Sequence, residues 1–234
     1  MSKVSLIGVC GRKRHGKDSV GKILRDSHGF VLTAFADAVK RVAMDVYGLS
    51  WEQCYGDGPE KESVDIRWGL SPRVIMQKIG TELGRSIHES TWVKHTLDNI
   101  QESAEGREYT LRDDQNHKFV RISTWADPKN KWVVTDVRFP NEAQAIRDAG
   151  GLVLKVVRPS LGVPTDEHPS ETSVDLIEPD FLIENTGTLE DLARAVNTFT
   201  TPIRAGLFGR ESWHVMQEAP FTLEDIKKRR WENS

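Results

Sequence analysis

Cysteine is scarce: the 234 residues hold only Cys10 and Cys54, far apart and without metal-ligand spacing. That pattern excludes a disulfide-stapled scaffold and points to a reducing compartment. Long apolar runs are missing too. None approaches the roughly 18 residues that a membrane-spanning helix needs. The chain enters a strand-like run at Val4, with no signal-peptide pattern before it. Neither sign of charge dominates. With 29% charged residues and a net charge of −3, there is no global field drawing the protein to nucleic acid or membrane. Internal repeats and long low-complexity tracts are likewise absent. What is present is ordinary for a soluble enzyme: 38% hydrophobic residues and enough length for a core without staples. The expectation is a cytoplasmic protein of one domain, or one domain with a sizeable insertion.

The most informative stretch runs from Val4 to Ile23. An apolar run (Val4, Leu6, Ile7, Val9, Cys10) reads as a buried parallel strand. Gly11-Arg-Lys-Arg-His-Gly16-Lys17 follows, with the G-x-x-x-x-G-K spacing of a phosphate-binding loop. Glycine lets the backbone curl so that N–H groups converge on an anion. The next helix, with Val20, Ile23 and Leu24 on one face, adds the partial positive charge of its N-terminus. Lys17 is placed to reach the outer phosphates, and Arg14 and His15 sit in the same loop. The residue after the lysine is ordinarily Ser or Thr, whose hydroxyl holds Mg²⁺. Here it is Asp18, with the hydroxyl one later at Ser19. The bland alternative is a basic, glycine-punctuated turn between two ordinary elements.

Strands and helices then alternate. A strand is predicted at 30–35 and a helix from Ala36 to Tyr47 with Val39, Val42, Ala43 and Val46 as its apolar stripe. Asp37 and Lys40 fall just past the strand end, where ligands bind in open α/β sheets. Asp37 also reads simply as an acid favouring the helix dipole, and Lys40 as a solvated lysine. Residues 49–70 are irregular. Ser71-Pro72 opens a helix running to about Arg85. Its apolar side is Val74, Ile75, Ile79 and Leu83; Arg73 is polar; Gln77, Thr81 and Arg85 form one line four residues apart. That line suits a groove for a base and a phosphate, against the alternative of a solvated face. A helix follows from Trp92 to Gln101, then a β-hairpin excursion around Asp113–Asn116 with no legible function. Strands at 131–136, 152–157 and 181–184 and helices after Pro140 and Thr188 complete a three-layer α/β fold with a mostly parallel central sheet. The predicted division is a P-loop domain over 1–201 and a tail over 202–234. The domain holds an acceptor-binding helical region at about 49–103, a hairpin insertion at 104–131 and a lid-like loop at 159–175. The tail carries a short helix from Thr222 and a basic run at 227–230, read as a solvated face sooner than a nucleic-acid patch. It makes a homodimer plausible.

Phosphoryl transfer needs a donor cradle, a divalent metal, cations around the moving group and a held acceptor. Asp136, ending an apolar strand, is placed like a Walker-B acid. Asp18, Ser19 and Asp136 are therefore the candidate Mg²⁺ ligands. Arg138 and Arg158 both follow strand ends and suit bidentate phosphate contacts. A nucleotide monophosphate needs no general base, because its second pKa is near 6 and it is largely dianionic at pH 7. His15 and His168 read more naturally as phosphate or lid contacts.

Seven stretches in one order resemble the deoxynucleoside monophosphate kinases of tailed bacteriophages, the T-even type. They are Gly11–Ser19; Phe35-Ala-Asp-Ala-Val-Lys40; Gln77–Arg85; Thr135-Asp136-Val-Arg138-Phe-Pro-Asn-Glu142; Val157-Arg158-Pro159; His168-Pro-Ser170-Glu171; and Ile183-Glu-Asn185-Thr-Gly187-Thr188. The resemblance spans about residues 4–197. It implies a P-loop kinase that uses ATP and Mg²⁺ to phosphorylate deoxynucleoside monophosphates for phage DNA synthesis in the host cytoplasm. It implies ATP contacts at Gly11 and Gly16–Ser19, with Asn185, Gly187 and Thr188 flanking the base. Asp37, Lys40, Gln77, Thr81, Arg85, Trp92, Asp136, Arg138 and Glu142 would line the acceptor site, and Arg158 would act from the lid side with His168, Ser170 and Glu171. Lys17, Arg138 and Arg158 are the expected catalytic cations. Ala38 departs from the family's frequent proline, and neither the hairpin nor the tail is assignable from the pattern.

Two other readings stay open at this stage. One is a P-loop kinase of another small acceptor, of the dephospho-coenzyme A or phosphomevalonate type. The other is a nucleotide-sensing or nucleic-acid-binding module, whose DNA affinity would fall steeply with salt.

Overall fold

In the computed structural model of the protein, the described residues are 5–122, 131–161 and 172–204, side chains of 202–204 excepted. Five parallel strands, β1 (Ser5–Cys10), β2 (Val31–Thr33), β5 (Lys131–Val137), β6 (Leu152–Val157) and β7 (Phe181–Glu184), form one sheet in the order β2-β5-β1-β6-β7. The order reverses at β1, so its carboxyl end is the topological switch point where ligands bind in such sheets. The strands β3 (Tyr109–Asp113) and β4 (Lys118–Ile122) form the separate antiparallel hairpin.

Period-2 alternation fills both faces of the sheet with apolar side chains, as a sheet covered on both sides requires. Ile7, Val9, Val133, Leu154 and Val156 face helices α1 (Lys17–His28) and α7 (Leu189–Arg204), where they meet Val20, Leu24, Val196 and Phe199. Leu6, Cys10, Trp132, Val134 and Val153 face the other layer, built by α5 (Thr91–Ala104) and α6 (Pro140–Asp148), with Val93, Tyr109 and Ile146. A third cluster (Val39, Ala43, Leu49, Cys54, Ile75, Ile79) joins α2 (Ala36–Tyr47), α3 (Trp51–Tyr55) and α4 (Pro72–Gln77). No described helix is long and apolar enough to cross a membrane.

Several sequence expectations change. The 49–70 stretch contains α3, whose start is a capping box between Ser50 and Gln53, with both reciprocal bonds formed. The helix expected over 71–85 is α-helical only to Gln77; Lys78–Arg85 is π-helical. Its wider winding rotates Leu83 off the apolar face, and Leu83 is exposed where a core residue was expected. Val46, placed on the apolar stripe of α2, is exposed as well. The last helix continues through Pro202 to Arg204, past the boundary expected at 201. The helix expected from Thr222 and the basic run at 227–230 lie outside the described residues, as do His168, Ser170 and Glu171.

Candidate active site

The phosphate loop leaves β1 where only glycine fits. Gly11 has φ 145°, and a Cβ on it would lie 2.4 Å from the Val156 carbonyl oxygen of the neighbouring strand. Arg14 adopts φ 65°, a left-handed conformation few side chains take. Gly16, at φ 105°, precedes the first turn of α1, and its missing Cβ leaves room for Asn185. The Asn185 amide donates to the His15 carbonyl at 3.0 Å, while its own N–H bonds the end of β6 at Val157. The loop is thus braced from β7 by a residue expected beside the ATP base. His15 is 5% exposed, and its Nδ1 accepts from the Arg158 N–H at 3.3 Å. His15 therefore ties the loop to the end of β6 and is not part of the cleft wall. Lys17 Nζ donates to the Arg12 carbonyl at 2.9 Å, which folds the ammonium over the loop. Arg12 pairs in turn with Asp175.

A cleft of about 410 Å³ opens in front of this loop. Arg14, Gly16, Lys17, Asp18, Ser19 and Lys22 form its floor, Arg158 one wall, and Asn185, Gly187, Thr188 and Leu192 another. Four cations face two carboxylates, Asp18 and Asp57, so the site is built for an anion. Thr188 and Asp191 cap α7 reciprocally beside it. Asp57, between Gly56 and Gly58, reaches this cleft from the helical region and was not anticipated.

The residues expected to bind the acceptor lie beyond β2 and β5. The pairing of β5 with β1 contains a bulge: Gly8 opposes Val134, but Cys10 opposes Val137. Thr135 and Asp136 share the space of Val9, which re-aims the acid at the strand end. Asp136 accepts from the Phe35 and Ala36 N–H groups at 2.7 and 2.9 Å, anchoring the start of α2. Burial pushes its carboxyl above the usual range, against those two bonds and with the nearby Asp37 adding to the rise. It is absent from the residues lining the cleft. Glu142, 3% exposed, accepts from the Arg138 N–H at 2.7 Å and pairs with Arg85 at 2.5 Å. Burial raises its carboxyl also. Arg85 lies over the Phe139 ring at 4.2 Å, so its guanidinium is fixed on two sides. Arg138 is half-buried one residue before that ring and does not line the cleft. Gln77, Thr81 and Arg73 are exposed, and Arg73 pairs with Glu62.

Trp92 has a structural seat. Its indole N–H donates to the Gly80 carbonyl at 2.8 Å, and a Cβ on Gly84 would lie 2.2 Å from its ring. The π-helical segment therefore closes on Trp92 through two glycines. Gly84→Ala is expected to displace the indole and cost about 1–3 kcal/mol, read as a lower urea midpoint together with a shift in tryptophan emission.

Asp37 is more enclosed than a ligand contact at a strand end suggests. Its carboxylate receives the Ala34 N–H (2.9 Å), the Thr33 hydroxyl (3.3 Å), the Tyr55 hydroxyl (2.8 Å) and Arg112 from the hairpin (2.8 Å). Lys40 stands with Nζ 3.7 Å from the Tyr55 ring centre. Burial lowers its pKa to about 8, and Asp37 opposes that shift. Tyr55 and Arg112 escaped the sequence reading. Arg112 meets Asp37 across 75 residues, a pairing no local pattern encodes.

The five-stranded parallel sheet, the glycine loop after β1 and the cationic cleft at the switch point define a P-loop phosphotransferase. Residues 58–196 match the family profile described as deoxynucleotide monophosphate kinase. A putative deoxynucleotide monophosphate kinase of Acanthamoeba polyphaga mimivirus is 35% identical over 191 residues, covering 80% of this chain and 91% of its own. The deoxynucleotide monophosphate kinase of Enterobacteria phage T4 is 28% identical over 132 residues, 56% of this chain and 44% of its own. The deoxynucleoside-5′-monophosphate kinase of Escherichia phage T5 is 28% identical over 113 residues, 45% of this chain and 35% of its own. The chain belongs to the deoxynucleotide monophosphate kinase family. Membership disfavours the dephospho-coenzyme A and phosphomevalonate alternatives and the nucleic-acid-binding reading.

Proposed function

We propose that this chain moves the γ-phosphoryl group of ATP to the 5′-phosphate of a deoxynucleoside monophosphate, in the cytoplasm of the cell where it is made. The observation that carries the reading is the cationic cleft at the carboxyl end of β1, floored by the loop and α1 and walled by Arg158 and Asn185–Thr188. In the reading, the loop N–H groups and Lys17 hold the triphosphate, and Asn185, Gly187 and Thr188 flank the ATP base. Arg158 places its charge on the moving phosphoryl group. The acceptor lies between α2 and the π-helical segment, with Lys40, Arg85 and Arg138 meeting its phosphate. Trp92, Gln77 and Thr81 flank the nucleoside, with Arg73 at the rim. Asp37, Asp136 and Glu142 hold that wall in shape more than they touch ligand, since their oxygens already receive protein donors. No base is required, because the acceptor dianion is itself the nucleophile.

The donor set fits Mg²⁺. Asp18 and Ser19 both offer hard oxygens in the cleft at the first turn of α1. Among the described residues no group of three or more His, Cys, Asp or Glu could hold a metal, in keeping with an ion held largely by phosphates and water. Bound there, Mg²⁺ supplies charge for the transferring phosphoryl. Asp136 is the weaker candidate, as both of its oxygens anchor α2.

The test is a panel of ATP, Mg²⁺ and each deoxynucleoside monophosphate, the ribonucleotides and hydroxymethylated pyrimidines, with products separated chromatographically. A deoxynucleoside diphosphate should form from at least one acceptor; absence of any deoxynucleoside diphosphate overturns the reading. Within it, Ser19→Ala and Asp18→Thr separate the metal ligands. If Asp18 takes the hydroxyl's place, Asp18→Thr retains turnover but changes the ratio of Mn²⁺- to Mg²⁺-supported rates. If Asp18 only favours the helix dipole, Ser19→Ala is the more damaging change.

A further inference from the structure

The hairpin β3–β4 is the part of the chain to which the sequence assigned no role, yet it delivers a charged side chain into the wall of the acceptor half. Arg112 and Asp37 are each 9% exposed and pair at 2.8 Å. Arg112 also meets Asp114 of the hairpin turn at 2.9 Å and lies 5.2 Å from the Tyr55 ring centre. One guanidinium thus spans two carboxylates and a ring, a task its planar fork suits and a lysine's does not. Asp37 passes the constraint on: the same oxygen that takes Arg112 takes the Tyr55 hydroxyl. The Tyr55 ring is the platform on which Lys40 stands. Two further contacts fasten the hairpin. Asn99 of α5 bonds the Thr110 N–H and carbonyl at 2.7 and 3.0 Å, and Trp51 stacks on His117 at 5.4 Å.

We propose that the hairpin positions Lys40 for the acceptor phosphate, with Arg112 as the positioning residue acting through Asp37 and Tyr55. The proposal rests on the kinase reading given above, in which Lys40 meets the acceptor. In the proposal Arg112 acts through the Asp37 and Tyr55 side chains.

Lys40 is faced by Asp37 of its own helix, Tyr55 and Cys54 of α3, Lys61 of the following turn, Arg112 of β3 and Asp136 of β5. With a pKa near 8, it should give kcat/KM for the acceptor an alkaline limb near that pH, since kcat/KM reports the free enzyme. Replacing Arg112 by methionine removes a like charge and leaves Asp37 unpaired. Both changes raise the Lys40 pKa, so the limb moves to higher pH.

The experiment measures kcat and KM for the acceptor and for ATP, from pH 6 to 10, in the wild type, Arg112→Met and Asp114→Asn. The expected result for Arg112→Met is an acceptor KM raised about tenfold, an ATP KM little changed and an alkaline limb displaced upward. Asp114→Asn leaves Arg112 in place and should raise the acceptor KM a few-fold in the same selective way, even if Arg112→Met fails to fold. Equal changes in both substrates' KM with an unmoved limb, or an Asp114→Asn variant with wild-type acceptor KM, overturn the positioning role. A wild type that turns over no acceptor overturns the underlying kinase reading instead, so the two failures are distinct.

Discussion

Lys17→Ala is expected to lower kcat by about 10²–10³-fold while leaving the folded protein nearly as stable as before. The size follows from the position of the charge. Lys17 begins α1, where in the proposed reading the loop N–H groups and the helix terminus hold a phosphate. The ammonium adds a cation over the loop, bonded to the Arg12 carbonyl at 2.9 Å. Its worth in the transition state exceeds its worth in the ground state, because negative charge spreads onto the transferring oxygens as the bond to ADP lengthens. Removing one preorganised donor of this kind typically costs two to three orders of magnitude. The stability change should stay near 1 kcal/mol, the usual net value of one hydrogen bond. Stopped-flow turnover and a urea titration of the same sample measure the two quantities. A kcat within a few-fold of wild type removes Lys17 from the chemistry.

The second large effect concerns the fold. Asp37→Ala is expected to destabilise the protein by about 3–5 kcal/mol, the range for breaking one side of a buried ion pair. Four groups lose this acceptor at once: the Ala34 N–H, the Thr33 hydroxyl, the Tyr55 hydroxyl and the Arg112 guanidinium. Of these, the guanidinium is the most costly, because its side chain is only 9% exposed and keeps Asp114 as its one carboxylate partner among the described residues. For a chain of this length the melting temperature should drop on the order of 10 °C. Combining Asp37→Ala with Arg112→Met should recover part of the loss, since the double variant buries no unpaired charge. Additive losses in the double variant would show that the two side chains do not act as a pair.

Much of this arrangement was legible in the sequence because its signals are local. The loop carries its own spacing, and the strands of the parallel sheet are short apolar runs between glycines and polar turns. Pro72 and Pro140 mark helix starts by fixing φ. The capping box at Ser50 and Gln53 was equally local and could have revealed α3. The π-helical winding at 78–85 was not legible by the same means. Ile75 and Ile79 fit α-helical spacing and are buried, but nothing in the order of residues announces that Leu83 then turns outward. The glycines at 80 and 84 are the remaining trace, and their meaning depends on Trp92 arriving from the next helix. Long-range pairing was the other blind spot. Asp37 could be placed at a strand end from the sequence, but Arg112 belongs to an insertion whose docking is decided by tertiary contacts. Asp57 reached the cleft from an irregular loop for the same reason. Of the anticipated site residues, Lys17, Arg158 and Thr188 line the cleft. Asp136 and Glu142 instead hold backbone and arginine in place away from it.

In the proposed reaction the triphosphate donor sits on the β1 loop and the monophosphate acceptor beyond β2 and β5. The most direct measurement follows the γ-phosphate of labelled ATP in the presence of Mg²⁺ and each deoxynucleoside monophosphate. The label should appear as the β-phosphate of a deoxynucleoside diphosphate, in amounts equal to the ADP formed. Label released only as inorganic phosphate, with the monophosphate recovered unchanged, would contradict the account.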